Sequence, residues 1–153
     1  MNWLELKIPP PVVALLTGLL MWLAAASMAR IEIPFRLRVG VAVALACTGA
    51  AIGVWAMVSF WRAKTTMNPI KPATASLLVT GGIFRITRNP MYLSLLLYLL
   101  AWAAYLSNWL ALLFLPLFVL YIDRFQIVPE ERALSSLFGP QYGAYKERVR
   151  RWL

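Results

Sequence analysis

Arg88-Asn89-Pro90-Met91-Tyr92 and Glu130-Glu131 are the two places where this 153-residue chain gathers groups able to do chemistry. A guanidinium, an amide, a phenol and paired carboxylates can hold charge and exchange hydrogen bonds. The sequence has no histidine, which removes Ser-His-Asp hydrolysis, a histidine-held haem or metal, and the usual general base near neutral pH. Its one cysteine, Cys47, forbids an internal disulfide or a cluster held by several thiolates, and reads as a small buried residue. Chemistry therefore falls to Glu, Asp, Arg, Tyr, Asn and backbone, with no metal. Each group also has a plain structural use. Asn89 suits a helix N-cap, Pro90 the first helical position, Arg88 a snorkelling charge and Tyr92 an aromatic belt, while Glu130 and Glu131 suit the positive end of a helix dipole.

The elements that position these groups follow from the composition, which is 61% hydrophobic and only 14% charged. So much apolar surface cannot all be hidden within a chain this short, so lipid must be the solvent for part of it. Residues 1–153 read as one all-α integral membrane domain. The uncharged runs Val12–Ala29 and Val39–Trp61, of 18 and 23 residues, each roughly match a bilayer core of about 30 Å. Asn89–Ile122, 34 residues without charge, would reach about 51 Å as one helix, so it should fold back at Ser107-Asn108. Four spans are expected, at about 12–29, 39–61, 90–106 and 109–128, the third and fourth forming a helical hairpin. Asp123 and Arg124 then sit near an interface, where ionisable groups need partners. The acidic Glu5 and the prolines Pro9 to Pro11 argue against a cleaved leader and for a retained first helix.

The 15 Lys and Arg outnumber the 6 Asp and Glu, but they flank apolar runs, which suits a membrane and excludes nucleic acid. Lys7, the loop residues Arg62, Lys64, Lys71, Arg85 and Arg88, and Arg124, Arg132, Lys146, Arg148, Arg150 and Arg151 fall on one side, against Arg30, Arg36 and Arg38 on the other. Both termini are thus expected in the cytoplasm, together with the polar parts 62–90 and 129–153. In the loop, Asn68-Pro69 and Lys71-Pro72 favour turning backbone, and Gly81-Gly82 permits close approach to a ligand. In the tail, Pro129 suits the start of a short helix that Gly139-Pro140 should stop. A second short helix would carry Tyr142, Tyr145 and Val149 on one side.

Leu78-Val79-Thr80-Gly81-Gly82-Ile83-Phe84, Arg88 through Tyr92, an apolar run, Glu130-Glu131, and Phe138 through Tyr145 with Arg151 occur in that order. This ordered set resembles the integral-membrane methyltransferases, which include isoprenylcysteine carboxyl methyltransferases and phospholipid N-methyltransferases. The resemblance covers about residues 68 to 153. It implies an S-adenosylmethionine-dependent enzyme with Arg88, Glu131 and Arg151 as catalytic residues. Val79, Thr80, Gly81, Ile83, Asn89, Pro90, Tyr92, Glu130, Glu131, Tyr142 and Tyr145 would hold the cofactor. Where that family often has His, this chain has Asn89, which hydrogen-bonds but cannot titrate.

The residue types suit such a cofactor. Glu accepts from a ribose diol or ammonium, Arg clamps a carboxylate, and an aromatic face steadies a sulfonium. A carboxylate or thiolate acceptor needs no base; an amine acceptor must lose a proton, to Glu131 or a tyrosinate. Embedding in lipid implies a lipophilic acceptor arriving from the bilayer. The rival readings are a small four-span transporter, a non-catalytic membrane assembly subunit and a sterol-reductase-like enzyme. Neither of the first two spans buries an ionisable residue as a proton-coupled transporter would. Membrane sterol reductases are generally much longer chains.

Overall fold

In the computed structural model, residues 5–27, 31–63 and 77–153 are described. Arg30, Lys64, the Asn68-Pro69 and Lys71-Pro72 turns, and the end of the first expected span lie outside them. The described residues are mostly helical, with no strand among them. Among them five α-helices occur in order: α1 (Pro10–Ala26), α2 (Phe35–Arg62), α3 (Pro90–Leu106), α4 (Trp109–Ile122) and α5 (Val128–Arg148).

Prolines begin two of these helices. Pro10 and Pro90 occupy the first positions of α1 and α3, where a missing N–H removes no helical bond. Helix α3 ends on Ser107 in the left-handed conformation (φ 52°). Ser107 also exchanges bonds with Ile31, its carbonyl accepting from the Ile31 N–H at 2.7 Å and its hydroxyl donating back at 3.0 Å. Asn108 then caps α4 by accepting from the Leu110 N–H at 2.9 Å.

Helix α4 does not end before the tail. It passes through a π-helical stretch, Asp123–Ile127, directly into α5. This corrects the expectation that a separate helix starts at Pro129. Pro129 offers no N–H to the carbonyl four residues back, that of Phe125. The wider turn absorbs the proline, and the Phe125 carbonyl accepts from the Leu6 N–H at 3.0 Å instead. The expected stop at Gly139-Pro140 is a kink: Gly139 takes φ 48°, ψ −124°, and helix resumes beyond it.

The closest helix pairing is α2 on α3, and it rests on Gly49 and Gly53, one turn apart. A Cβ on Gly53 would lie 2.9 Å from Ser94 Oγ, and one on Gly49 would lie 3.2 Å from the Ser94 carbonyl. The Ser94 hydroxyl donates to the Gly49 carbonyl at 2.8 Å. Small residues that let backbones approach are the usual device of helix packing in lipid. Helix α1 lies on α3 and α4 around buried Met21, Leu99, Phe118 and Ile122, and Trp102 Nε1 donates to the Gly18 carbonyl at 3.0 Å.

The outer faces carry exposed large apolar residues, among them Leu15, Trp22, Trp61, Leu113 and Leu117. Water does not favour such a surface, and lipid does. Helix α2 and the continuous helix from Trp109 are long and apolar enough to cross a membrane; α1 and α3 are apolar but shorter. At 17 residues each, they reach about 26 Å. Cys47 lies on an outer face and is exposed, correcting the expectation of a buried thiol: a lone apolar-tolerant side chain meets lipid there as readily as core.

Candidate functional site

The tail is docked onto the segment that leads into α3. Its backbone supplies acceptors: the Arg150 carbonyl takes the Arg88 N–H at 3.0 Å, and the Arg151 carbonyl takes Asn89 Nδ2 at 2.9 Å and the Thr87 hydroxyl at 3.3 Å. Asn89 stands at the N-cap position of α3, but its side chain makes no cap bond there and serves the tail. Tyr145 donates its hydroxyl to the Phe84 carbonyl at 2.7 Å, and Trp152 Nε1 donates to Asp123 Oδ1 at 3.1 Å. Ile83, Phe84, Tyr142, Tyr145 and Val149 form a shared buried cluster with Ala56 of α2. Residues distant in sequence are thereby fixed at one end of the helices.

Between α2, α3, α5 and the docked loop lies a cavity of about 680 Å³. Val79, Arg88, Asn89, Pro90, Tyr92, Glu130, Glu131, Tyr142 and Tyr145 line it. Thr80 and Gly81 do not, and Ile83 is buried in the cluster beneath, because the short 3₁₀ turn Gly82–Arg85 directs it inward. Gly82, at φ 61°, makes its close approach to α2: a Cβ there would stand 3.0 Å from Trp55 Nε1 and 3.1 Å from Ser59 Oγ. Of the glycine pair, Gly82 serves helix contact, while a Cβ on Gly81 would meet open space.

Arg151 also stands outside the cavity wall. Its guanidinium grips Glu131 from behind, Nε at 3.1 Å from Oε1 and Nη2 at 2.7 Å from Oε2, with Nη1 3.9 Å from Asp123 Oδ1. This two-pronged grip fixes the carboxylate and raises the Arg151 pKa above its ordinary value. On the cavity side, Arg88 Nη1 is 3.2 Å from Glu131 Oε1. That is an ion pair by distance, at an angle that forms no hydrogen bond. Arg88 Nε and Nη1 are buried without a hydrogen-bond partner, an expensive arrangement unless a ligand supplies the acceptors.

Glu130 differs from its neighbour. Its partner is the Tyr92 hydroxyl, which donates to Oε1. Glu130 lies beyond the apolar stretch that ends at Val128, half-buried in the cavity wall, and its desolvation there pushes its carboxyl up to about 8. The Tyr92 hydrogen bond opposes that rise and the charge of Glu131 adds to it. Burial, then the charge of Glu131, moves the Tyr142 phenol up to about 12, against the pull of Arg88. Burial and Tyr142 raise Tyr145 further. Both phenols stay protonated near neutrality, so a tyrosinate is a poor proton acceptor here.

Of the two carboxyls that line the cavity, Glu131 is paired with Arg88 and with Arg151, whereas Glu130 is held by the Tyr92 hydroxyl. S-adenosylmethionine bears a sulfonium, an ammonium and a carboxylate, groups for which the wall offers a guanidinium and the Glu130 carboxyl. Arg88, with its Nε lacking an acceptor, suits a carboxylate, Glu130 suits an ammonium or ribose hydroxyl, and Tyr92, Tyr142 and Tyr145 line the same cavity.

The sequence left part of the wall unread. Gly53, Met57 and Phe60 of α2 and Met91, Ser94, Leu95 and Tyr98 of α3 complete it. Their signal is helical spacing: residues four and three apart share a face, but nothing in one chain says which face meets a cavity. Pro9, Pro10 and Pro11 close another side.

Residues 37–141 match a family described as phospholipid methyltransferase. A stretch of 63 residues, 41% of this chain and all of the relative, is 57% identical to an uncharacterized protein of Haemophilus influenzae. Over 103 residues the chain is 29% identical to the protein-S-isoprenylcysteine O-methyltransferase of Schizosaccharomyces pombe. That match takes in 67% of this chain but 44% of the yeast enzyme. No solved structure matches.

Proposed function

The chain belongs to the phospholipid methyltransferase family of membrane proteins, and from that premise we propose that it transfers a methyl group from S-adenosylmethionine to a lipophilic acceptor drawn from the bilayer. The observation that carries the reading is Arg88, whose buried Nε has no hydrogen-bond partner and whose Nη1 is held by an ion pair alone, facing Glu130 and Glu131 in one cavity. In this reading all four apolar segments cross the membrane, the third and fourth as a hairpin, and both termini and the cavity's polar end are cytoplasmic.

The cofactor, when bound, supplies an electrophilic methyl group for in-line displacement. The chain supplies position and dryness. Arg88 holds a carboxylate, Glu131 is kept in place by Arg151, and Glu130 takes the remaining cationic or hydroxyl group. Tyr92 keeps Glu130 hydrogen-bonded while that carboxylate is buried. The apolar flank formed by Val54, Met57, Leu95 and Tyr98 excludes water and gives a lipophilic acceptor its contact. A carboxylate or thiolate acceptor attacks without a base. For an ammonium acceptor, Glu130, pushed up to about 8, is a better-matched proton acceptor than either phenol.

The test uses purified protein and methyl-labelled S-adenosylmethionine, with lipid-extract fractions and water-soluble thiols and amines as acceptors. Label should appear in a lipid fraction and be lost in Arg88→Ala and Glu131→Gln proteins that remain folded. Label confined to water-soluble acceptors would refute the lipophilic acceptor, and full activity in both variants would refute the site.

A further inference from the structure

We propose that residues 5–11 form a clasp that positions one rim of this cavity, with Glu5 as its positioning residue; the proposal rests on the cofactor reading above. The Glu5 side chain is almost wholly buried and binds two guanidinium groups of the α4–α5 helix. Its Oε1 is 3.3 Å from Arg124 Nη1 and its Oε2 is 2.8 Å from Arg132 Nη2. Those arginines lie on either side of the π-helical stretch and of Pro129, so one carboxylate bridges the place where the helix is widest.

Two hydrogen bonds to its backbone hold the same segment. Leu6 donates its N–H to the Phe125 carbonyl, the acceptor released by Pro129, at 3.0 Å. Gln126, fully buried, donates Nε2 to the Ile8 carbonyl at 2.7 Å. Leu6 does so at φ 58°, a conformation a leucine keeps only when its surroundings impose it. Ile8 packs on the buried core of α1, α3 and α4.

The next three residues are Pro9, Pro10 and Pro11, and all three line the cavity together with Glu130, Glu131 and Leu134. Proline fixes φ, so a run of three transmits the anchoring of residues 5–8 to the rim with little slack. Glu5 does not line the cavity, yet it ties the rim to the helix that presents Glu130 and Glu131. Loosening the clasp lets the proline wall withdraw from a bound ligand.

The test measures S-adenosylhomocysteine affinity by calorimetry for the full-length protein in detergent, alongside its thermal unfolding. At low salt, Glu5→Gln should weaken binding about two- to fivefold, as expected for loss of ion pairs to two half-exposed arginines. High salt screens the pair in the wild type, so the two proteins should converge there, a response that a general packing defect does not produce. Equal affinity at low salt in folded Glu5→Gln overturns the clasp. Should that variant fail to fold, Arg132→Gln removes half of the pairing from a half-exposed position; it should weaken binding in the same direction, and unchanged affinity overturns the proposal. Absence of binding by the wild type would instead overturn the cofactor reading on which the clasp depends.

Discussion

Replacing Tyr92 with phenylalanine isolates the one hydrogen bond that Glu130 receives from a side chain in the cavity. Burial already holds the Glu130 carboxyl at about 8, with the Tyr92 hydroxyl pulling it down. A hydrogen bond to a charged group contributes about 1.5–3 kcal/mol, and one pH unit corresponds to about 1.36 kcal/mol. Tyr92→Phe should therefore raise the Glu130 midpoint by about 1–2 units. A cationic ligand binds the ionised carboxylate, so affinity rises with pH through the midpoint and levels off above it. At pH 8 the variant should bind S-adenosylmethionine roughly 5- to 50-fold more weakly than the wild type, and the gap should close as pH climbs further. Calorimetric titration of both proteins across this range reads the effect. The ligand's own titration is common to both and cancels in their ratio. A ratio independent of pH, or a midpoint that moves down, would refute the assignment of Glu130 as the buried counter-ion.

The same carboxyl makes a stability prediction. Its folded value stands above its ordinary 4.5, so the folded state holds the proton more tightly and loses stability as pH rises from about 4.5 to about 8. Glu130→Gln should flatten that slope in thermal unfolding of the ligand-free protein; an unchanged slope contradicts the shift. Gly53→Val should lower the unfolding temperature by several degrees, since even a Cβ meets Ser94 Oγ at 2.9 Å and overpacking costs about 1–3 kcal/mol; an unaltered temperature would show that α2 and α3 can separate freely. Asn89→Asp places an acceptor against the Arg151 carbonyl that Asn89 Nδ2 now serves. Trypsin should then cut after Arg148 or Arg150 roughly fivefold faster or more, given the 1–3 kcal/mol of a lost buried bond, and equal cleavage would deny the tail its anchor.

Much of the helical layout was legible because lipid demands long uncharged runs, and Pro10, Pro90 and Asn108 punctuate them in the ordinary way. The candidate residues could be named from their order and types, and the cavity brings Arg88, Tyr92, Glu130 and Glu131 together. What could not be read depends on three-dimensional partners. Arg151 looks equivalent to Arg88 in the sequence, but only the docked tail shows that it stands behind Glu131. Pro129 reads as a helix start until Leu6 is seen using the carbonyl it frees. Gly49 and Gly53 carry a visible small-residue spacing, yet the partner, Ser94, is named by packing alone. Gly82 permits a close approach, and the sequence cannot say whether to ligand or helix.

A sulfonium cofactor enclosed by the docked loop and tail should be captured by ultraviolet crosslinking of labelled S-adenosylmethionine to the purified protein, with the labelled peptides mapped by mass spectrometry. Label on the peptides carrying Tyr92, Tyr142 or Tyr145, lost on competition with S-adenosylhomocysteine, is the predicted result. Competable label confined to the outer faces of α1 or α2 would contradict it.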